Sequence, residues 1–209
     1  MDGYARHYRL NHNHLNTKYR LSFSYMRCTM LVSEDYKNNV KELYKKSQLI
    51  LTEQELNNIE FADFGLNNIE NEGLNLIIYI NTDRYCAKEM VLLPNQTCPE
   101  HRHPDINNSR GKQETFRCRW GKVYLYVEGE NKGSISCTLP QGGNQQYYTA
   151  RQEIELLPGE QYTIDPNIKH WFKAGPEGAV ISEFSSTSYD EFDIFTNPNI
   201  NRVCQDQIT

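Results

Sequence analysis

The chain has 209 residues, 38% hydrophobic and 23% charged, with a formal net charge of −5. This is the size and make-up of one globular domain, and the acidic balance argues against a nucleic-acid partner held through phosphate charge. No apolar run approaches the ~18 residues of a membrane-crossing helix, so no membrane partner is expected.

The charge is unevenly spread. Residues 1–30 hold five basic side chains (Arg6, Arg9, Lys18, Arg20, Arg27) against one acid, Asp2. The other 179 residues carry 17 basic and 26 acidic side chains, a net of −9. The first segment is rich in tyrosine and asparagine and has no clean period of 2 or 3.6, so it reads as a disordered basic extension. It lacks the apolar stretch and cleavage site of a secretory signal, whereas an organelle transit peptide stays open on composition. His12-Asn13-His14 imitates a metal-binding pair but has no carboxylate nearby, and Met26 and Met30 leave open a later start. Six scattered cysteines (Cys28, Cys86, Cys98, Cys118, Cys137, Cys204) form no close pair, which reads as reduced, structural thiols in a cytoplasmic protein.

Two short helices are expected next, within a helical region 31–72 packed on the domain that follows. Ser33 caps one from about Glu34 to Lys46, with Val40, Leu43 and Tyr44 on one face. Thr52-Glu53-Gln54-Glu55 is a capping box opening a second that ends near Ile59. From Gly73 onward the period becomes 2. Strands are expected at Leu74–Asn81, Lys88–Leu93, Glu114–Trp120, Lys122–Glu128, Gln152–Leu157, Gln161–Ile164, Trp171–Lys173 and Ala179–Phe184. Turn signals, among them Trp120-Gly121 and Gly175-Pro176, separate them. Short strands at this spacing predict an all-β sandwich or barrel over 73–209.

Only three histidines lie beyond residue 30: His101, His103 and His170. In an extended segment His101 and His103 share a face while Arg102 turns away. Glu114 opens the next strand, facing the same way as Phe116 and Cys118, and His170 opens a later one. Three imidazoles and a carboxylate suit Mn²⁺, Fe²⁺, Co²⁺, Ni²⁺ or Zn²⁺, and four ligands leave positions for a chelating substrate.

The ordered set H-x-H, E, H resembles the cupin superfamily, with Gly121 six residues past Glu114 as in the first cupin motif. The ten-residue gap between His103 and Glu114 is longer than that motif's, and Pro166 stands one residue closer to His170 than in the second. The runs TCPEHRHP (Thr97–Pro104), GKQETFRCRWGKVYLYVEGE (Gly111–Glu130), QYTIDPNIKHWF (Gln161–Phe172) and EFSSTSYDEFDIFTNP (Glu183–Pro198) resemble the small bacterial D-lyxose ketol-isomerases of the cupin type. The likeness covers about residues 31–209. It implies a double-stranded β-helix (jelly-roll) barrel with short N-terminal helices. It also implies an Mn²⁺-dependent aldose–ketose isomerase interconverting D-lyxose and D-xylulose, with D-mannose and D-fructose as a second pair. The implied partner is a small aldose or ketose.

That chemistry needs a base. Glu183 alternates with Ala179 and Ile181, an acid among apolar neighbours, and Lys112 precedes Glu114 by two residues on the same face. Glu183 is therefore the expected general base, with Lys112 polarising or protonating a sugar oxygen; a strand-end surface acid and a solvated loop lysine are the plain alternatives. Arg117 and Arg119 are expected on the outer surface or at a contact between two copies of the chain in a homodimer. Tyr124 and Tyr126 share a face that pattern alone does not assign to inside or outside, which leaves sugar contact open. Asp190 and Asp193 fall in a polar tail near the barrel mouth. A cupin dioxygenase using Fe²⁺ at the same ligands, and a sugar-binding cupin without catalysis, are the competing readings.

Overall fold

A computed structural model describes residues 32–130 and 135–201. The readings made for residues 1–30, including Cys28 and the His12/His14 pair, lie outside the described residues, as does Cys204. Helix α1 spans Glu34–Lys46, and the Ser33 hydroxyl accepts from the Tyr36 amide at 3.1 Å. Acids occupy its first turn and lysines its last, matching the helix dipole. Helix α2 covers Glu53–Asn57 and opens on the expected capping box of Thr52 and Glu55. It stops short of Ile59 because the chain turns directly into a three-residue strand, β1 (Glu60–Ala62).

Eight further strands follow: β2 (Leu74–Asn81), β3 (Cys86–Leu92), β4 (Thr97–Arg102), β5 (Glu114–Val127), β6 (Gln152–Leu156), β7 (Gln161–Ile164), β8 (His170–Ser185) and β9 (Ile194–Phe195). All strand pairs are antiparallel. Sequence patterning places β2 and β7 at their observed bounds but does not single out β1, β4 or β9 as strands. It also divides β5 and β8 into two each.

That division is a correction. Trp120-Gly121 and Gly175-Pro176 do not end strands; β5 and β8 pair on both sides of them, and the register shifts across the breakers, leaving residues 175–178 without a β5 partner. Gly121 has φ +75°, and a Cβ there would lie 2.1 Å from the Gly178 carbonyl oxygen, so glycine serves a bend and a close approach. On its other side β8 changes partner across the bend, from β4 (His170–Lys173) to β3 (Ala179–Ser185). β5 likewise passes from β7 to β6. Two long strands that change partners midway curl the sheet around one interior.

The interior holds Leu76, Met90, Phe116, Leu125, Phe172 and Ile181. Outside, α1 lays Tyr36, Val40, Leu43 and Tyr44 on Ile77, Val91 and Val180. A third cluster stacks Tyr126 on Trp171 at 3.9 Å between ring centroids, beside Tyr148. Among the described residues no disulfide joins Cys86, Cys98, Cys118 and Cys137. Among the described residues no helix is long and apolar enough to cross a membrane.

Candidate metal centre and active site

The β4–β8 register sets His101 directly opposite His170. Two residues on, His103 keeps the same face while Arg102 is half-buried on the other. The long gap to Glu114 is closed locally: the Gly111 amide donates to Asp105 Oδ1 at 2.8 Å, and the Asn167 amide donates to the His103 carbonyl at 3.0 Å. A Cβ on Gly111 would sit 2.2 Å from that same carbonyl, so the return to β5 passes too close for any side chain. The loop thus delivers Glu114 beside the imidazoles despite its length.

Ligand atoms of His101, His103, Glu114 and His170 all lie within 4.8 Å of one another, and all four residues are buried. Glu114 Oε1 is 2.9 Å from His170 Nε2 and 3.2 Å from His103 Nε2. Each ring is oriented through its other nitrogen. His101 Nδ1 meets the Pro99 carbonyl at 2.8 Å, His170 Nδ1 the Ile168 carbonyl at 2.9 Å, and His103 Nδ1 the Asp193 carboxylate at 2.5 Å. A carbonyl only accepts, so in His101 and His170 the proton sits on Nδ1 and Nε2 presents a lone pair inward. His170 Nε2 is buried without a hydrogen-bonding partner of suitable geometry. Three ring nitrogens held from behind and one carboxylate are a donor set that fits a divalent transition metal.

The surrounding charges act differently on each of the candidate ligands. Burial, reinforced by the neighbouring histidines, pushes His101 well below the usual imidazole range, keeping it neutral. For His103, burial and Lys112 push down, but the Glu114 and Asp193 carboxylates outweigh them and raise it. Glu114 is held well below the ordinary carboxylate range, against burial, by Lys112 and His103.

Lys112 and Glu183 come to the same place. Lys112 Nζ is 2.7 Å from Glu114 Oε2 and 3.2 Å from Glu183 Oε1, which also accepts from Ser185 Oγ at 3.0 Å. Burial disfavours the Lys112 charge, yet Glu114 and Glu183 keep its pKa well above the ordinary lysine value. Two residues that pattern reading did not assign complete the site. Lys88 lies opposite Glu183 in the β3–β8 register, its Nζ 3.8 Å from Glu183 Oε1 and 3.1 Å from Asp190. The available signal was a lysine alternating with Cys86 and Met90 on an otherwise apolar face. Asp193, expected only near the barrel mouth, is the carboxylate behind His103. Its segment is tied down by Glu100, whose carboxylate accepts from Thr196 Oγ1 and from the Thr149 and Ala150 amides.

The open question about the tyrosines is answered by the inner face of β5. Val123, Leu125 and Val127 point into the barrel, so Tyr124 and Tyr126 face the outer cluster with Trp171, away from the histidines. Arg117 bonds Gln161 and Arg119 is exposed, both outside the barrel.

A family model describing D-lyxose isomerase matches residues 36–207. The chain belongs to the D-lyxose isomerase family. It is 61% identical over 170 residues to a D-lyxose/D-mannose isomerase of Thermosediminibacter oceani, covering 81% of this chain and 93% of that one. It is 59% identical over 167 residues to a D-lyxose ketol-isomerase of Cohnella laeviribosi, covering 80% and 91%. The chain is accordingly an isomerase. In three dimensions it is similar to the L-ribose isomerase of Acinetobacter sp. DL28, with a TM-score of 0.65 at 16% identity over 81% of this chain and 93% of that one. At that identity the likeness concerns the fold, an all-β barrel of the cupin type.

Proposed function

We propose that this isomerase interconverts D-lyxose and D-xylulose, with D-mannose and D-fructose as a second pair, through a cis-enediol and with a divalent ion held by His101, His103, Glu114 and His170. The observation that carries the reading is the convergence of three back-supported Nε2 atoms and Glu114 beside a buried Lys112–Glu183 pair. When bound, an ion of the Mn²⁺ kind supplies Lewis acidity at the C1 and C2 oxygens of an open-chain aldose.

The chain's own residues do the rest. Glu183 takes the C2 proton and returns it to C1, working from one face of the sugar as a cis-enediol requires. Lys112, kept protonated by two carboxylates, donates a hydrogen bond to the sugar oxygen where negative charge grows. Phe116, Phe172 and Phe195 pack around the cluster and thin out the water that would compete for the proton.

Mn²⁺-loaded protein incubated with a panel of aldoses should yield the matching ketoses from D-lyxose and D-mannose; conversion of neither removes the proposal. Oxygen uptake with Fe²⁺ and no ketose would point to a dioxygenase instead. Changing Glu183 to Gln should lower kcat by about a thousandfold or more while bound metal per chain is unchanged. Activity near that of the native protein would take the base role from Glu183.

A further inference from the structure

From the candidate metal ligands outward, charged side chains alternate in sign from one neighbour to the next. Glu114 touches Lys112 at 2.7 Å, Lys112 touches Glu183 at 3.2 Å, Glu183 stands 3.8 Å from Lys88, and Lys88 meets both oxygens of Asp190 at 3.1 Å. The first two pairs belong to the chemistry described above. The Lys88–Asp190 pair stands one step further out, and no proton step uses it.

We propose that Lys88 and Asp190 bind the terminal hydroxyl of the open-chain sugar and set the preference for substrates that carry one; the inference rests on the isomerase reading above. The cavity holding the candidate ligands has two kinds of wall. Leu74, Leu76, Met90, Phe116 and Phe172 make an apolar side with nothing to offer a hydroxyl. Lys88, Asp190 and Asp193 make the polar side. An aldose carries oxygen at every carbon, and a buried hydroxyl without a partner is unfavourable, so a sugar whose C1 and C2 oxygens face the histidines runs its remaining carbons along the polar side.

Reach and donor geometry agree with this direction. Lys88 lines the same cavity as Glu114, with Lys112 and Glu183 between them. The Lys88 ammonium is 3% exposed and is steered by Ser188 Oγ at 3.0 Å and by Asp190. Glu183 Oε1, at 3.8 Å, is beyond hydrogen-bond length from Lys88, and Lys88 and Asp190 both line the cavity, so the ligand oxygen is placed against the pair from the cavity side. Lysine donates and aspartate accepts, the combination that satisfies both roles of one hydroxyl.

The test compares D-lyxose with 5-deoxy-D-lyxose on the Mn²⁺-loaded full chain, for the native protein, Lys88→Met and Asp190→Asn. The native protein should prefer D-lyxose by about 100-fold in kcat/KM, and each variant should shrink that preference to within about threefold, with bound metal unchanged. Asp190→Asn keeps the reading decidable if Lys88→Met does not fold, since Asp190 sits on a partly exposed turn. Two results overturn the inference while leaving the isomerase reading intact. One is a native protein indifferent to the deoxy sugar. The other is a pair of variants that slow both sugars equally, which would mean that Lys88 acts only by steadying Glu183. A native protein that converts neither D-lyxose nor D-mannose overturns both.

Discussion

Strands β3 and β8 present two adjacent residue pairs to opposite sides of one sheet. On the inner side Lys88 faces Glu183; one residue along, on the outer side, Glu89 faces Ser182. Both acids are buried, at 3% and 5% exposure. Glu183 stands between two lysines, whereas the Glu89 carboxylate accepts from Ser182 Oγ at 2.7 Å and its Oε2 has no hydrogen-bond partner among the described residues. Burial pushes the Glu89 carboxyl up, while Glu114 on the inner side is driven well down by Lys112 and His103 against the same burial. A buried carboxylate is held ionised where cations touch it; where the nearest cation, as Arg119 for Glu89, acts only weakly, burial wins and the acid is a cost to the fold.

The largest expected break falls on the inner side. Glu114→Gln keeps size and removes the charge that Lys112, His103 and His170 share, so Mn²⁺ content and turnover should both fall, turnover by about a thousandfold or more. Metal analysis beside activity checks this; full metal occupancy would show that Glu114 is no ligand. Next comes Asp193→Asn, which removes the carboxylate from behind His103 and should weaken metal affinity by about 10- to 100-fold. A chelator titration reads that loss, and unaltered affinity would leave Asp193 a tether for its segment only.

The smallest effect belongs to the outer side and should carry the opposite sign. With its pKa raised in the folded state, Glu89 lowers stability as pH climbs from the unfolded carboxylate value through the folded one, and has no such effect once both states are protonated. Glu89→Gln should therefore stabilise the fold by about 1 kcal/mol at neutral pH, the gain fading toward pH 4, with isomerase activity unchanged. Thermal unfolding at several pH values decides it. A loss of stability at neutral pH would mean that Glu89 is ionised and favourably paired.

Much of the site was legible because histidine is rare in this chain and the acids stand at telling positions. Three histidines after residue 30, one acid at a strand start and one acid among apolar alternating positions are sequence signals in themselves. Lys88 and Asp193 carried weaker signals. A single lysine in a strand is ordinarily a surface residue, and an aspartate in a polar tail is ordinarily solvated; only a register across β3 and β8 and a tail tied back by Glu100 give them partners. The strand breakers misled for a related reason. Gly121 and Gly175-Pro176 have the local chemistry of turns, but pairing between β5 and β8 on both sides of them outweighs that preference and turns breaks into bulges.

The sequence by itself therefore determined the elements and the inventory: caps, period-2 strands, the donor set, and a collinear likeness to one family. These depend on neighbours a few residues apart and on side-chain chemistry, both written directly in the chain. Tertiary structure alone decided which face of β5 is interior, which lysine meets Glu183, and which carboxylate stands behind His103. Each of those is a contact between segments far apart in sequence; strand register decides the first two, and a shift of one residue would send those strand side chains to the other side, while the third depends on a tail tied back through Glu100.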